Sequence, residues 1–280
     1  MRDIPTRSIT ESVAQLFVEA NTRLGEDIRR ALDAGLSHEE TVLPREVLKL
    51  LLENAAYAGQ EQIPICQDTG MAVVFADVGQ DVRIVGGALT QAIQDGVVLG
   101  TRRGFLRASV VRDPIDRQNT GDNTPAVIHY DIVPGESLTL TVAPKGFGSE
   151  NMSTVKMLTP ADGLAGVERF VLDTVRLSGP NPCPPVVVGV GVGGTMEKAA
   201  LLAKRALIRD LDVPHDDPFW AETERRLLNA VNGLGIGPAG FGGRTTALGL
   251  HIGVYPTHIA GLPVAVNIGC HVTRHRTAAL

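Results

Sequence analysis

Apolar positions recur with a helical period through the first part of the chain. Val13, Leu16, Phe17, Ala20, Leu24, Ile28 and Leu32 fall on one stripe, Ser8 and Glu11 precede it in capping-box spacing, and Gly35 closes it. The pattern predicts one amphipathic helix over residues 8–35. A second helix is predicted from Pro44, a residue suited to a first helical turn, through Val47, Leu48, Leu51 and Leu52 to Gly59. From Met71 the character changes: MAVVFADVG and VRIV read as strands and GGALTQAIQDGVVLG as a helix, while AVIHYDIV and LTLTVAP read as an antiparallel pair around Pro134-Gly135. Residues 160–178 read as a helix and PVVVGVGV as a buried strand; TMEKAALLAKRALIR and DPFWAETERRLLNAVNGLG then read as helices, and TALGLHIGV and LPVAVNIG as strands.

This order is not a steady alternation of strand and helix, which argues against a simple doubly wound sheet. The expected fold is mixed α/β, α+β-like, with mixed sheets surrounded by helices. No linker, repeat or low-complexity run divides the chain, so residues 1–280 are expected to form a single large domain.

Composition narrows the function classes. With 26 Lys and Arg against 31 Asp and Glu, the formal charge is −5, and there is no basic excess to neutralise a phosphate backbone; nucleic acid is not an expected partner. No stretch approaches the roughly 20 apolar residues of a membrane span, and the N-terminus lacks the basic head and apolar core of a signal peptide, so the expected location is cytoplasmic, away from membranes. Glycine is over-represented, 31 of 280 residues against a usual share of about 7%.

Some of that glycine forms a misleading pattern. Gly189, Gly191 and Gly194 stand in G-x-G-x-x-G spacing between a predicted strand and a predicted helix, the setting of a dinucleotide fingerprint. The following RDLDVPHDDPFW is polar and broken by proline, so the second strand and its acidic residue are missing. Two readings remain: a turn whose amides at Gly193, Gly194 and Thr195 face an anion, or plain close packing.

The three cysteines, Cys66, Cys183 and Cys270, are an odd number, and no C-x-x-C pair exists to suggest zinc. Each sits at a Pro- or Gly-marked turn beside a strand, in PICQDTG, NPCPPVV and NIGCH, rather than inside an apolar run. Widely separated single cysteines suit a cluster where loops meet. Three thiolates on a 4Fe-4S cluster leave one iron without a protein ligand, able to act as a Lewis acid, which points to hydration and dehydration.

PICQDTG, LRASVVRDP with NTGDNTPAVIH, PKGFGSENMS, NPCPPVVVGVGVGGTMEKA and GPAGFGGRTTALGLHI together resemble class I fumarate hydratases and tartrate dehydratases over most of the chain. The resemblance implies the cluster-binding α part of an iron-sulfur hydro-lyase, with Cys66, Cys183 and Cys270 as cluster ligands. It also implies Gln67 and Asp68 as a substrate-pocket pair, Arg107 as partner of a substrate carboxylate, Gly148 as a substrate-binding glycine and His258 as an active-site histidine. Read without the resemblance, Asp68 is a turn former before Thr69-Gly70, Arg107 a surface residue and His258 a hydrogen-bonded structural histidine. Asn119, Asp122 and Asn123 read as loop architecture holding the pocket.

The implied reaction is reversible addition of water to a four-carbon dicarboxylate, either fumarate to malate or tartrate to oxaloacetate. The implied partner is a β subunit that supplies the base, in an α2β2 assembly. A non-catalytic iron-sulfur sensor and a nicotinamide-binding oxidoreductase are the rivals from other classes.

Overall fold

The computed structural model describes residues 1–280. In chain order its elements begin with β1 (Arg2–Pro5), α1 (Thr6–Thr22), α2 (Glu26–His38), α3 (Val42–Glu61), β2 (Met71–Gly79), β3 (Val82–Val85) and α4 (Leu89–Arg103). There follow β4 (Val127–Val133), β5 (Leu138–Lys145), α5 (Phe147–Glu150), β6 (Thr154–Leu158), α6 (Gly163–Ser178) and β7 (Val186–Gly193). The last are α7 (Met196–Ala206), α8 (Pro218–Asn232), β8 (Ala247–Tyr255), β9 (Leu262–Gly269) and β10 (Arg276–Ala279). The class is mixed α and β, as the hydrophobic pattern predicts. Contacts group the chain into two compact units: unit 1 holds Met1–Gly25, Asn54–Phe147 and Arg274–Leu280, and unit 2 holds Glu26–Glu53 and Gly148–Thr273. No helix is long and apolar enough to cross a membrane.

In unit 1 a four-stranded sheet of order β10-β5-β2-β4 is packed on one face by α1 and α4, and a short parallel pair, β1 with β3, lies apart from it. Ala72, Val74 and Ala76 of β2 and Leu138, Leu140 and Val142 of β5 bury against Val13, Phe17, Ile93 and Val97 of the helices. The helices approach closely because α4 presents glycine: a Cβ on Gly96 would lie 2.6 Å from Val13 Cβ, and one on Gly100 would lie 3.0 Å from the Ala14 carbonyl.

In unit 2 the sheet has the order β6-β9-β7-β8, with β8 parallel to β7 and β9 antiparallel to it. Val186, Val188, Val190 and Val192 of β7 point to the face covered by Val167 and Val171 of α6 and Leu227 and Val231 of α8. On the other face the strand presents Gly189 and Gly191 to α7. A Cβ would meet the Ala203 carbonyl oxygen at 2.2 Å from Gly189 and the Ala199 carbonyl oxygen at 2.0 Å from Gly191. A Cβ on Gly193 would lie 2.0 Å from the Tyr255 oxygen, and the Gly194 amide donates to the Pro256 carbonyl at 3.2 Å. The glycine pattern therefore serves backbone packing, and the Gly194 amide is not offered to an anion. The parallel crossover from β7 is completed after all, by α7 and α8 together leading into β8.

Three other expectations are corrected. The helix over 8–35 is two helices, because Arg23 is extended (φ −131°, ψ 121°) and the Asn21 carbonyl accepts from the Ile65 amide instead of continuing the helix. The apolar stripe runs through the break because α1 and α2 each bury their own part of it. Helix α1 begins at Thr6 after Pro5 with no side-chain cap, so Ser8 and Glu11 form no capping box. β4 and β5 do not pair; they flank β2, β4 parallel and β5 antiparallel to it.

In unit 2, Glu224 of α8 ion-pairs with Arg209 and accepts the amides of Ile252 (2.6 Å) and His215 (3.2 Å). Beside it His251 is buried, and burial, then the Arg209 charge, holds its imidazole below the ordinary pKa. The unfolded chain then binds more protons than the folded one, so this histidine removes stability as the pH falls below about 6.5. The denaturation midpoint is expected to decline over that range less steeply in His251→Asn than in wild type; equal slopes would refute the assignment. Gly191→Ala is expected to cost about 1–3 kcal/mol in chemical denaturation. Gly253→Ala, whose new Cβ would meet Leu202 at an ordinary 3.4 Å, is expected to cost less.

Candidate active site

The predicted residues of unit 1 gather at one end of its sheet. The Cys66–Gly70 loop enters β2, residues 119–126 enter β4, Gly146 and Phe147 leave β5, and Arg274 precedes β10. Asp68 fastens them. Its Oδ1 accepts the Gly70 amide (3.1 Å), its Oδ2 accepts the Phe147 amide (2.8 Å), and its backbone carbonyl accepts from Arg274 Nη2 (2.6 Å). The turn-forming role expected of an Asp before Thr-Gly is thus visible, and the same side chain reaches a second strand end. The Asp68 amide donates to Cys66 Sγ at 3.4 Å. Gly146 is glycine for a local reason, since a Cβ there would press on Asp68 Oδ2 at 3.1 Å.

Arg107 is held by its backbone. The buried Thr69 hydroxyl accepts the Arg107 amide at 2.9 Å and faces the Arg107 carbonyl at 3.4 Å. Asn123, fully buried at φ +64°, accepts the Ser109 amide (2.9 Å) and donates to the Gly70 carbonyl (3.1 Å), so it joins the Arg107 loop to the Asp68 loop. Asn119 donates to the Ala108 carbonyl at 2.9 Å. The hydroxyl and amide of Thr124 donate to Asp122 and hold its carboxyl below the usual range. The Arg107 side chain is exposed, and its guanidinium forms no hydrogen bond or ion pair within the chain; Gln67 is likewise exposed.

Unit 2 gathers its residues at the end of the sheet where β7 begins. Cys183 leads into β7, Cys270 follows β9, and the Gly148 loop leads into β6. The loops touch: His271 Nδ1 lies 3.0 Å from the Cys183 carbonyl oxygen, and the Ala239 amide donates to the Pro184 carbonyl at 2.8 Å. Nothing in the packing demands glycine at 148. Its φ is ordinary, it is exposed, and a Cβ would meet nothing nearer than the Asn181 carbonyl oxygen at 3.9 Å.

His258 is placed elsewhere. It sits in the turn after β8, pinned by Thr257 Oγ1 on the Gly194 carbonyl (2.9 Å), at the far end of β7 from Cys183 and Cys270. The eight residues of β7 separate the two ends by about 25 Å. The structure therefore does not bring His258 to the thiol loops of its own unit. Its ring accepts the Ala260 amide at 3.2 Å.

None of the cysteines is in a disulfide; Cys183 is exposed and the other two half-buried. Within either unit no group of three or more His, Cys, Asp or Glu side chains stands ready to hold a metal ion. Sequence reasoning missed the parts played by Arg274 and Thr69 altogether. Arg274, one of two arginines in HVTRHR, carries no local signal of the carbonyl it holds.

Comparison with known proteins yields a consistent picture. The family model described as fumarate hydratase (fumerase) matches residues 10–279. A Methanocaldococcus jannaschii protein provisionally named L(+)-tartrate dehydratase subunit alpha is 40% identical over 274 residues, covering 95% of each chain. The Escherichia coli K12 protein named L(+)-tartrate dehydratase subunit alpha is 32% identical over 273 residues, covering 96% of this chain and 89% of its own.

Two substitutions test the local geometry by denaturation. Asn123→Ala leaves the Ser109 amide and the Gly70 carbonyl unpaired and is expected to destabilise by about 2 kcal/mol or more. Gly148→Ala is expected to leave the midpoint at the wild-type value while Gly146→Ala lowers it; equal losses would contradict the distinction drawn between these two glycines.

Proposed function

Because the chain belongs to the fumarate hydratase family and is a hydro-lyase, we propose that it is the α subunit of a two-chain enzyme acting on a four-carbon dicarboxylate. The observation that carries this reading is Arg107. Its main chain is pinned by Thr69 and Asn123 while its exposed fork of donors is unspent on the protein. A planar guanidinium so held loses little freedom on taking up a carboxylate in two parallel hydrogen bonds.

The other residues fit around it. Gln67 offers an exposed amide beside the Asp68 turn, and Gly148 offers a backbone with no side chain in the way. Asp68, with both carboxylate oxygens accepting amides, keeps the turn rigid so that groups near it meet the reacting hydroxyl in fixed positions. An active-site role for His258 rests on the resemblance alone, since it stands a strand's length from the thiol loops of its own unit. The base that takes the substrate proton is assigned, by the resemblance, to a β subunit, whose existence the name "subunit alpha" of the relatives supports. The proposed assembly is α2β2, in the cytoplasm.

Three sulfur donors on loops suit a 4Fe-4S cluster, and the amide already donated to Cys66 Sγ is the kind of contact that supports a thiolate ligand. Cys66, Cys183 and Cys270 would hold it, and its iron without a protein ligand would supply the Lewis acid that eases carbon–oxygen cleavage. Two substrates follow from this reading: fumarate, from the name of the family, and L(+)-tartrate, from the names of the relatives.

The test is anaerobic reconstitution of the α chain with its β chain, followed by iron and sulfide analysis and assays on both acids. About four iron and four sulfide per α chain are expected, lost in each of Cys66→Ser, Cys183→Ser and Cys270→Ser. Arg107→Lys is expected to raise KM about 10-fold or more for the acid that reacts. A chain that binds no sulfide, or holds the cluster without hydrating or dehydrating either acid, would overturn the proposal, the latter in favour of a sensor.

A further inference from the structure

The loop that carries Gly148 is held by buried and partly buried polar groups to which the proposed reaction gives no task. The Glu150 carboxylate forms an ion pair with Lys204 of α7 through Oε1 and accepts Asn267 Nδ2 of β9 through Oε2 at 3.1 Å. The Lys204 and Glu150 side chains are only 18% and 28% exposed, and Asn267 is 7% exposed. Asn267 Oδ1 is buried without a hydrogen-bond partner, so its bond to Glu150 is what this amide has in place of water.

A second fastening lies three residues on. Pairing of β6 with β9 ends at Thr154 opposite Val266, beyond the reach of the Ile268 amide. Ser153 Oγ accepts that amide at 3.1 Å and donates to the Ser149 carbonyl at 3.3 Å. The loop is therefore bolted at Glu150 and Ser153 to the last residues of β9, whose next residue after Gly269 is Cys270.

We propose that Glu150 is a positioning residue of the dicarboxylate site, which with Lys204 and Asn267 sets the Gly148 backbone against the strand end that carries Cys270. The inference rests on the hydro-lyase reading and on Gly148 as a substrate contact. In this proposal Glu150 acts by fixing the loop through Lys204 and Asn267, and misplacement of a binding group by about 1 Å can cost about 100-fold.

The experiment uses the complete αβ enzyme and measures KM, kcat, iron and sulfide content, thermal midpoint and amide hydrogen exchange over residues 148–153. Glu150→Ala is expected to raise KM roughly 10- to 100-fold and to speed exchange in this loop, with iron and sulfide retained. Glu150→Gln, which keeps an acceptor for Asn267, is expected to recover much of the KM. A KM within about twofold of wild type, or a rise no larger than the loss of iron explains, would overturn the proposal. If Glu150→Ala fails to fold, Lys204→Met takes its place with the same expectation, and an unchanged KM there overturns it too. A wild-type enzyme inactive on both acids brings down the parent reading and this one together; an active wild type with indifferent variants brings down this one alone.

Discussion

One carboxylate sets the geometry of the unit 1 loops. Asp68 accepts the amide of its own turn and that of Phe147 beyond β5, while its carbonyl is held by Arg274 before β10. Three chain segments far apart in sequence are thereby locked to one residue, next to Cys66 and Gln67. Thr69 and Asn123 extend the lock to Arg107. The exposed guanidinium thus stands on a fixed main chain, which lowers the freedom it would lose on meeting a partner.

Unit 2 reaches the same end by different means. Its central strand carries valines toward α6 and α8 and glycines toward α7, so helix and sheet approach almost backbone to backbone. That tight layer sets where β7 starts and β9 stops, and hence where Cys183 and Cys270 stand, with His271 joining their loops. Glycine at 148 is of another kind, open where the others are crowded.

Periodicity in the sequence was enough for most strands and helices, because each buries a regular stripe on a single layer. It could not show the break at Arg23, where the stripe continues although the backbone turns, nor the separation of β4 from β5, which depends on β2 lying between them. The edge strands β6 and β10 are short and β6 exposes four of its five residues, so neither carries a regular buried stripe to register. In the candidate site the motifs marked the loops that carry the cysteines and Arg107. Arg274, Asn267 and Glu150 were not marked, since each acts on a partner far away in sequence. The glycine fingerprint was legible and yet misleading, because close helix packing and phosphate binding ask for the same small residue.

The strand that finishes the unit 1 sheet is also the last piece of that unit in the chain. β10 pairs with β5, and Leu280 exchanges two backbone hydrogen bonds with Leu138, only after all of residues 148–273 have been made. During synthesis β5 therefore waits with an unpaired edge while unit 2 emerges, and a chain cut short before residue 276 keeps that edge open for good. Loss of residues 276–280 thus becomes a question of solubility before it becomes one of catalysis.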